Sequence, residues 1–445
     1  MNARRIGKWV IVLFLLAALP GMTAVMAQEE PAGKAPVMGG EAAIAPALAY
    51  TIQESEPNNS IAQADSMRLG DVMRGNLVDC RDFFAIQTNF AAPMALLIDL
   101  DAGAIGTPID AEIRLYGEYG ALLNTSDDAG EGTSWAALDP MLYNAGAGRP
   151  HFVEVVYHGT CPGRSAPYNL IVSTPLLISA AAANLGTGYV AGIPFRSEDV
   201  LAHSELQGGQ EKWVLFLDGS DAGIVKNLTN LSTGWSNGVD TESSYLAVSF
   251  SANQTLTDSA GNSRTFKPQD WAMLHIAQVG PATYVDRFEY FPGAPRGLTT
   301  SGEIIDALHV DGERDGAYLY FSITGSGAVP RYDGGALRLA DEDVFRGYVT
   351  NPPFNSMELD GSLLRGLAVE DVIAAEYDSQ NDLDPDNELL YLTIAGVGNV
   401  LGHRVTQKDI FRLLYVDDWM NWEGIVWHGP DHGWNYNIDA FDFPQ

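Results

Sequence analysis

Three stretches of the 445-residue chain, YLAVSFSAN at 245–253, YLYFSITGSG at 318–327 and LLYLTIAGVG at 389–398, begin 73 and 71 residues apart. A period of this length constrains the fold before any single residue is weighed, because a repeated unit buries its apolar face on neighbouring copies. After each stretch comes an acidic strand start, QDWAMLHI at 269, EDVFRGYV at 342 and KDIFRLLYV at 408, with SEDVLAHS at 197 as an earlier copy. A third β run follows, WVLFLDGSDAGI, DRFEYFPGAPRGL, MELDGSLLRGL or WEGIVWHGPDHGW, and then a fourth, EIIDALHV, VEDVIAAEYD or NIDAFDF. Tandem four-stranded units without helical periodicity fit propeller blades better than a solenoid. The predicted fold class is all-β, with a β-propeller of about four blades over 185–445, or five if the blade boundaries fall elsewhere. GTGYVAGIPF matches YLYFSITGSG poorly as a first copy, whereas the C-terminal NIDAFDF repeats the IIDALHV strand and is expected to close the ring, removing exposed edges.

The start of the chain reads as an export signal. Arg4, Arg5 and Lys8 precede an apolar run too short to span a bilayer, and small residues near Ala27 supply a cleavage site, so 1–27 is expected to be removed. Residues 28–50, rich in Ala, Pro and Gly, read as a flexible linker. The expected location is secreted, extracellular or periplasmic, with no membrane span. The formal charge is −32, or −35 without the leader, which disfavours nucleic acid and anionic lipid as partners. The two cysteines, Cys80 and Cys161, are an even and sparse pair in an exported chain and are expected to form a disulfide.

Between the linker and about residue 175, short alternating runs such as AEIRLYG and HFVEVVY, separated by turn residues, predict an antiparallel β-sandwich of jelly-roll type. The ordered segments ESEPNNSIAQAD, DCRDFFAI, IDAEIRLYGEYGALLNTSDD, HFVEVVYHG and PYNLIV resemble the bacterial pre-peptidase C-terminal domain, related to the collagen-binding domains of clostridial collagenases, over roughly 52–174. That domain usually trails a catalytic domain and here it leads, so the resemblance does not imply a protease. It does imply calcium, shared between a Glu-x-Glu-x-Asn-Asp segment and two aspartates at a strand start. Those positions match Glu54, Glu56, Asn58, Asn59, Asp79 and Asp82, with Asn59 replacing an acid, which leaves open whether one ion or two bind. The residues agree with this independently. Glu54 and Glu56, two apart, share one face of an extended segment, and the asparagines add neutral oxygens where further carboxylates would repel.

Signatures of catalysis are missing from the sequence: no HExxH, no GxSxG, no phosphate loop and no dinucleotide fingerprint. TGSGAV at 324–329 leads to no helix, and His428 and His432 are separated by Gly429 and Pro430, which disfavour the helix their spacing would need; a metal site with Asp431 is the alternative to a loop. Asp199, Asp270, Asp343 and Asp409 recur at equivalent strand starts. Converging at a ring axis they could act as glycosidase carboxylates, but a repeated residue more often serves a repeated turn. The acidic hairpin DSQNDLDPDNE at 378–388 lacks the glycine and terminal spacing of an EF-hand and reads as a solvated turn, with a weak cation site as the alternative. Trp419, Trp422, Trp427 and Trp434 could line a carbohydrate platform, although blade packing also consumes aromatics. The expectation is a noncatalytic binding or adhesion protein for an extracellular polysaccharide or protein. A secreted propeller glycoside hydrolase is the first alternative and a surface-layer component the second.

Overall fold

The computed structural model describes residues 51–442 apart from 88–92, 102–110, 127–136, 145–149, 158–164, 182–185, 207–209, 234, 237–244, 301, 314–316, 332, 350–355, 365, 368–370, 379–387 and 417–418. The leader and linker (1–50), Cys161 and most of the acidic hairpin at 378–388 lie outside the described residues. What is described is all-β, with no α-helix among those residues and only short 3-10 turns between strands. None of their helices is long and apolar enough to cross a membrane.

Ten strands between Thr51–Gln53 and Pro167–Ser173 form two five-stranded sheets. In Ala111–Tyr116 (AEIRLY) burial alternates at every residue, as expected where one face meets a core and the other meets solvent. Met73, Ile98 and Leu170 from one sheet meet Phe84, Ile113 and Val153 from the other in a single apolar cluster. The ion pair of Lys212 Nζ with Asp99 Oδ1, at 3.0 Å, ties these sheets to the residues that follow.

From Leu176 onward the strands group into four four-stranded antiparallel ladders, one of them extended by the short strand Trp235–Ser236. The first strands are Leu228–Ser232, Ile305–Glu313, Val372–Asp378 and, from the C-terminus, Ile438–Asp442. Their neighbours are Tyr245–Phe250, Tyr318–Ile323, Glu388–Ile394 and Leu176–Ala180, respectively. Each sheet continues through a third strand that opens next to the recurring aspartate and ends on a fourth. The second and third strands of every repeat are joined through a small separate hairpin, such as Gln254–Thr257 with Ser263–Phe266.

This arrangement corrects the sequence reading of the first copy. GTGYVAGIPF is not a counterpart of YLYFSITGSG; it forms the small hairpin Gly188–Val190 with Ile193–Phe195. The true counterpart is LLISA at 176–180, buried at all five positions, so the repeats begin before residue 185. The runs EIIDALHV, VEDVIAAEYD and NIDAFDF likewise do not end a unit but open the next sheet.

Leu228–Ser232 packs against Ile305–Glu313, that strand against Val372–Asp378, that against Ile438–Asp442, and the last returns to Leu228–Ser232. All four carry a bulge at the same place, next to Thr229, Asp306, Ile373 and Asp439. A bulge increases local twist, and four identical ones bend four strands alike.

Candidate metal centre

The entry segment of the first sheet brings the predicted calcium ligands together. Glu54 follows Thr51–Gln53, and its amide donates to Arg74 O at 3.1 Å, so the side chain turns toward the edge of the neighbouring strand, where the Asn76 amide donates to Oε1. Asp82 is the second residue of Arg81–Gln87, and the next amide, Phe83 N, donates to Asn58 O at 2.9 Å. Tyr168 donates its hydroxyl to Asp82 Oδ2 at 2.6 Å and lies 3.5 Å from Glu54 Oε2, so one phenol bridges the two carboxylates. Asn58 Nδ2 reaches Glu54 Oε2 at 3.4 Å, the Asn58 amide reaches Glu56 Oε2 at 3.3 Å, and Asn59 Nδ2 reaches Asp79 Oδ2 at 3.1 Å. Glu54, Glu56, Asn58 and Asp82 are therefore joined, directly or through Tyr168, while Asn59 and Asp79 form a separate pair.

This cluster crowds carboxylates and leaves buried oxygens unpaired. Asn58 and Asp82 are fully buried, and Asn58 Oδ1, Asn59 Oδ1 and Asp82 Oδ1 have no hydrogen-bond partner. Buried acceptors left unpaired are costly. Burial, with Asp82 next in weight, pushes the Glu54 carboxyl up to about 8; burial likewise pushes Asp82 up to about 6, against the Tyr168 hydrogen bond. Donors that are all hard oxygens, mixed between carboxylate and amide, are the set calcium accepts, whereas zinc and copper favour nitrogen or sulfur. These residues fit calcium.

The four recurring aspartates have a different task. Asp199 Oδ2 accepts from Arg196 N and Oδ1 from Gly219 N, at 2.7 and 2.8 Å. Asp270 does the same with Lys267 and Gly293, both at 2.9 Å, and Asp343 with Ala340 and Gly361, both at 3.0 Å. In the fourth repeat Asp409 accepts from Thr406 N at 2.7 Å and takes His428 Nδ1 in place of a glycine amide. The glycines are required by close approach: a Cβ on Gly293 would lie 2.0 Å from Gln269 O, and one on Gly361 2.2 Å from Glu342 O. Each carboxylate therefore clasps the start of its third strand to the end of its fourth. Asp343→Ala strands two amides and is expected to cost roughly 2–6 kcal/mol at about 1–3 kcal/mol per buried unpaired group, with Asp343→Asn losing less, as read by denaturant unfolding.

His428 and His432 are not partners. His432 sits in the 3-10 turn Gly429–His432, where its Nδ1 lies 2.9 Å from Glu211 Oε1, while the other oxygen of Glu211 contacts His203 Nε2. A ligand atom from each of His203, Glu211 and His432 lies within 4.8 Å of the others. Nothing in the sequence announces this trio, because 229 residues separate the two histidines and no repeat relates them. Trp427 and Trp434 are buried, Trp434 stacking on Trp213 at 5.6 Å, and Trp422 stacks on Phe411 at 5.5 Å, so these three serve packing. The side chain of Trp419 lies outside the described residues. TGSGAV leads into the strand Gly327–Pro330, not into a helix.

No family model matches the chain, and no curated protein sequence matches it. Among solved structures, the pre-peptidase C-terminal domain of a collagenase from Bacillus anthracis is similar at 17% identity, covering 25% of this chain and 94% of that one, with a TM-score of 0.20. A score of that size carries no argument about fold or function.

Proposed function

We propose that the chain is an exported, noncatalytic binding protein in which a calcium-stabilised β-sandwich precedes a four-bladed β-propeller that engages an extracellular polysaccharide or protein. The observation that carries the calcium reading is the trio of buried, partnerless oxygens on Asn58, Asn59 and Asp82 beside Glu54. The propeller reading is supported by the cycle of four inner strands, the last supplied by the C-terminus. Rigid blades present fixed surfaces between their loops, which suits recognition of an extended partner. One such surface is a cleft of about 670 Å³ of mixed charge, where Arg196 and Lys212 face Asp199 and Asp218 beside Trp213. The recurring aspartates, the acids on which a hydrolase reading would first rely, are occupied by turn amides.

Isothermal calorimetry and melting in calcium and in chelator test the first half. Calcium bound only by the folded state raises the melting temperature by mass action, and Asp82→Ala is expected to abolish both the heat of binding and the shift. Equal melting in calcium and chelator, with no heat, would remove calcium from the proposal. A glycan and matrix-protein array, with and without calcium, tests the second half; turnover of an arrayed glycan would replace binding by hydrolysis. Pairing of Cys80 with Cys161 belongs to the same proposal, a link worth on the order of 4 kcal/mol for a loop of this length. Two free thiols in the exported protein, by intact mass under denaturing conditions, would exclude it.

A further inference from the structure

Counting four residues from the residue before each bulge, Leu228, Ile305, Val372 and Ile438, gives Ser232, His309, Glu376 and Asp442. The four inner strands that pack in a cycle therefore place, at one level, a hydroxyl, an imidazole and two carboxylic acids. All four are buried, His309 being only 3% exposed and Glu376 2%. Ligand atoms of His309, Glu376 and Asp442 lie within 4.8 Å of one another, and Ser232 Oγ is 3.4 Å from His309 Nδ1. The second ring nitrogen, His309 Nε2, is buried without any partner.

We propose that this level of the ring is a structural site for one divalent first-row transition-metal cation, held by His309 through Nε2, Glu376 and Asp442, with the Ser232 hydroxyl on His309 Nδ1 orienting the ring. Two acids within a few ångströms of each other in a dry interior repel and are poorly solvated, and a nearby imidazole with an unpaired nitrogen adds a further cost. A divalent cation removes all three penalties together. The donor set selects its class: one nitrogen with carboxylate oxygens suits zinc or manganese, whereas calcium takes six to eight oxygens. A ligating imidazole binds through one nitrogen while the other is held by a hydrogen bond, here Nδ1 by Ser232. Asp442 is oriented from behind by the Thr233 amide at 3.1 Å and by the Thr233 hydroxyl, as outer hydrogen bonds orient metal-bound carboxylates. The three donors come from three different inner strands, Asp442 from the last, so the ion fastens the chain end to two other sheets. Nothing in this site depends on calcium at Glu54 and Asp82.

The test uses the full chain carrying His432→Ala, which removes the competing trio with His203 and Glu211. Protein refolded with zinc or manganese is expected to retain about one ion per chain through gel filtration in chelator, and to release it only on denaturation, because the site closes with folding. Elemental analysis reads the ion. Glu376→Gln is expected to lower occupancy by tenfold or more and to remove the metal-dependent rise in melting temperature, while calcium binding persists. If Glu376→Gln fails to fold, refolding the His432→Ala chain with cobalt gives an independent reading, a visible d–d spectrum of cobalt bound by nitrogen and oxygen. Absence of that spectrum, no retained metal, or a Glu376→Gln chain that retains it as well as its parent would each overturn the proposal.

Discussion

Removal of residues 436–445 is expected to unfold the four repeat sheets together, not to trim a tail. Ile438–Asp442 is hydrogen-bonded to Leu176–Ala180, and its Ile438, Ala440 and Phe441 are at most 2% exposed. Phe441 and Ile438 share a cluster with Ile178, Leu201 and Trp434, residues of the first and last repeats, while Ala440 belongs with Leu228 and Leu246 of the second. Deletion therefore opens an edge and uncovers three repeats at once. Burial of one large apolar side chain contributes about 1.5–3 kcal/mol, so two of them, the lost strand pairing and the exposed core approach the roughly 5–15 kcal/mol that holds a domain folded. Calorimetry of the shortened chain should show the large transition lowered by tens of degrees or missing. Phe441→Ala, which keeps the backbone pairing, should cost about 3–5 kcal/mol as a core truncation. An unchanged transition after deletion would mean the sheets do not depend on closure by the C-terminal strand.

How much of this was legible in advance depended on composition. The repeats with strongly apolar second strands, YLAVSF, YLYFSI and ELLYLTI, announced themselves, and the matching aspartates fixed the spacing. LTNLS at 228–232 was missed because an inner strand here carries Thr229, Asn230 and Ser232, which read as turn residues; they are buried because Thr229 donates to Ile305 O at 2.7 Å and the Ser232 hydroxyl accepts from Val310 N at 3.0 Å. LLISA was missed for the opposite reason, being short and followed by an alanine run. The oxygen cluster at Glu54–Asp82 was legible since its members lie in two short segments with a recognisable order. His309, Glu376 and Asp442 were not: a lone polar residue in an apolar strand gives no signal until strand register places three of them at one level.

In excess chelator, the stability of the first two sheets is expected to fall as pH rises from about 4 to about 8. The sign follows from the two buried acids, which together outweigh the buried His151, lowered to about 4 and acting in the opposite direction. Glu54 is raised from 4.5 to about 8 and Asp82 from 3.8 to about 6, each chiefly by burial, so across this window the folded state holds protons that the unfolded chain has already lost. Stability decreases with pH wherever the folded state binds more protons. Below about 4 both states are protonated and the penalty vanishes; above about 8 both are ionised and it is fully present. Calcium reverses the situation, since it binds the ionised carboxylates and replaces their protons, so its stabilisation should grow with pH over the same range. Asp82→Asn removes one of the two titrating groups and should flatten the slope in chelator while weakening the response to calcium. Calorimetric melts of the full chain at half-unit pH intervals, with calcium and with chelator, give both curves. A metal-free transition that strengthens between pH 5 and 8 would show that Glu54 and Asp82 are not held as buried acids, and with that the physical argument for a cation between them would fail.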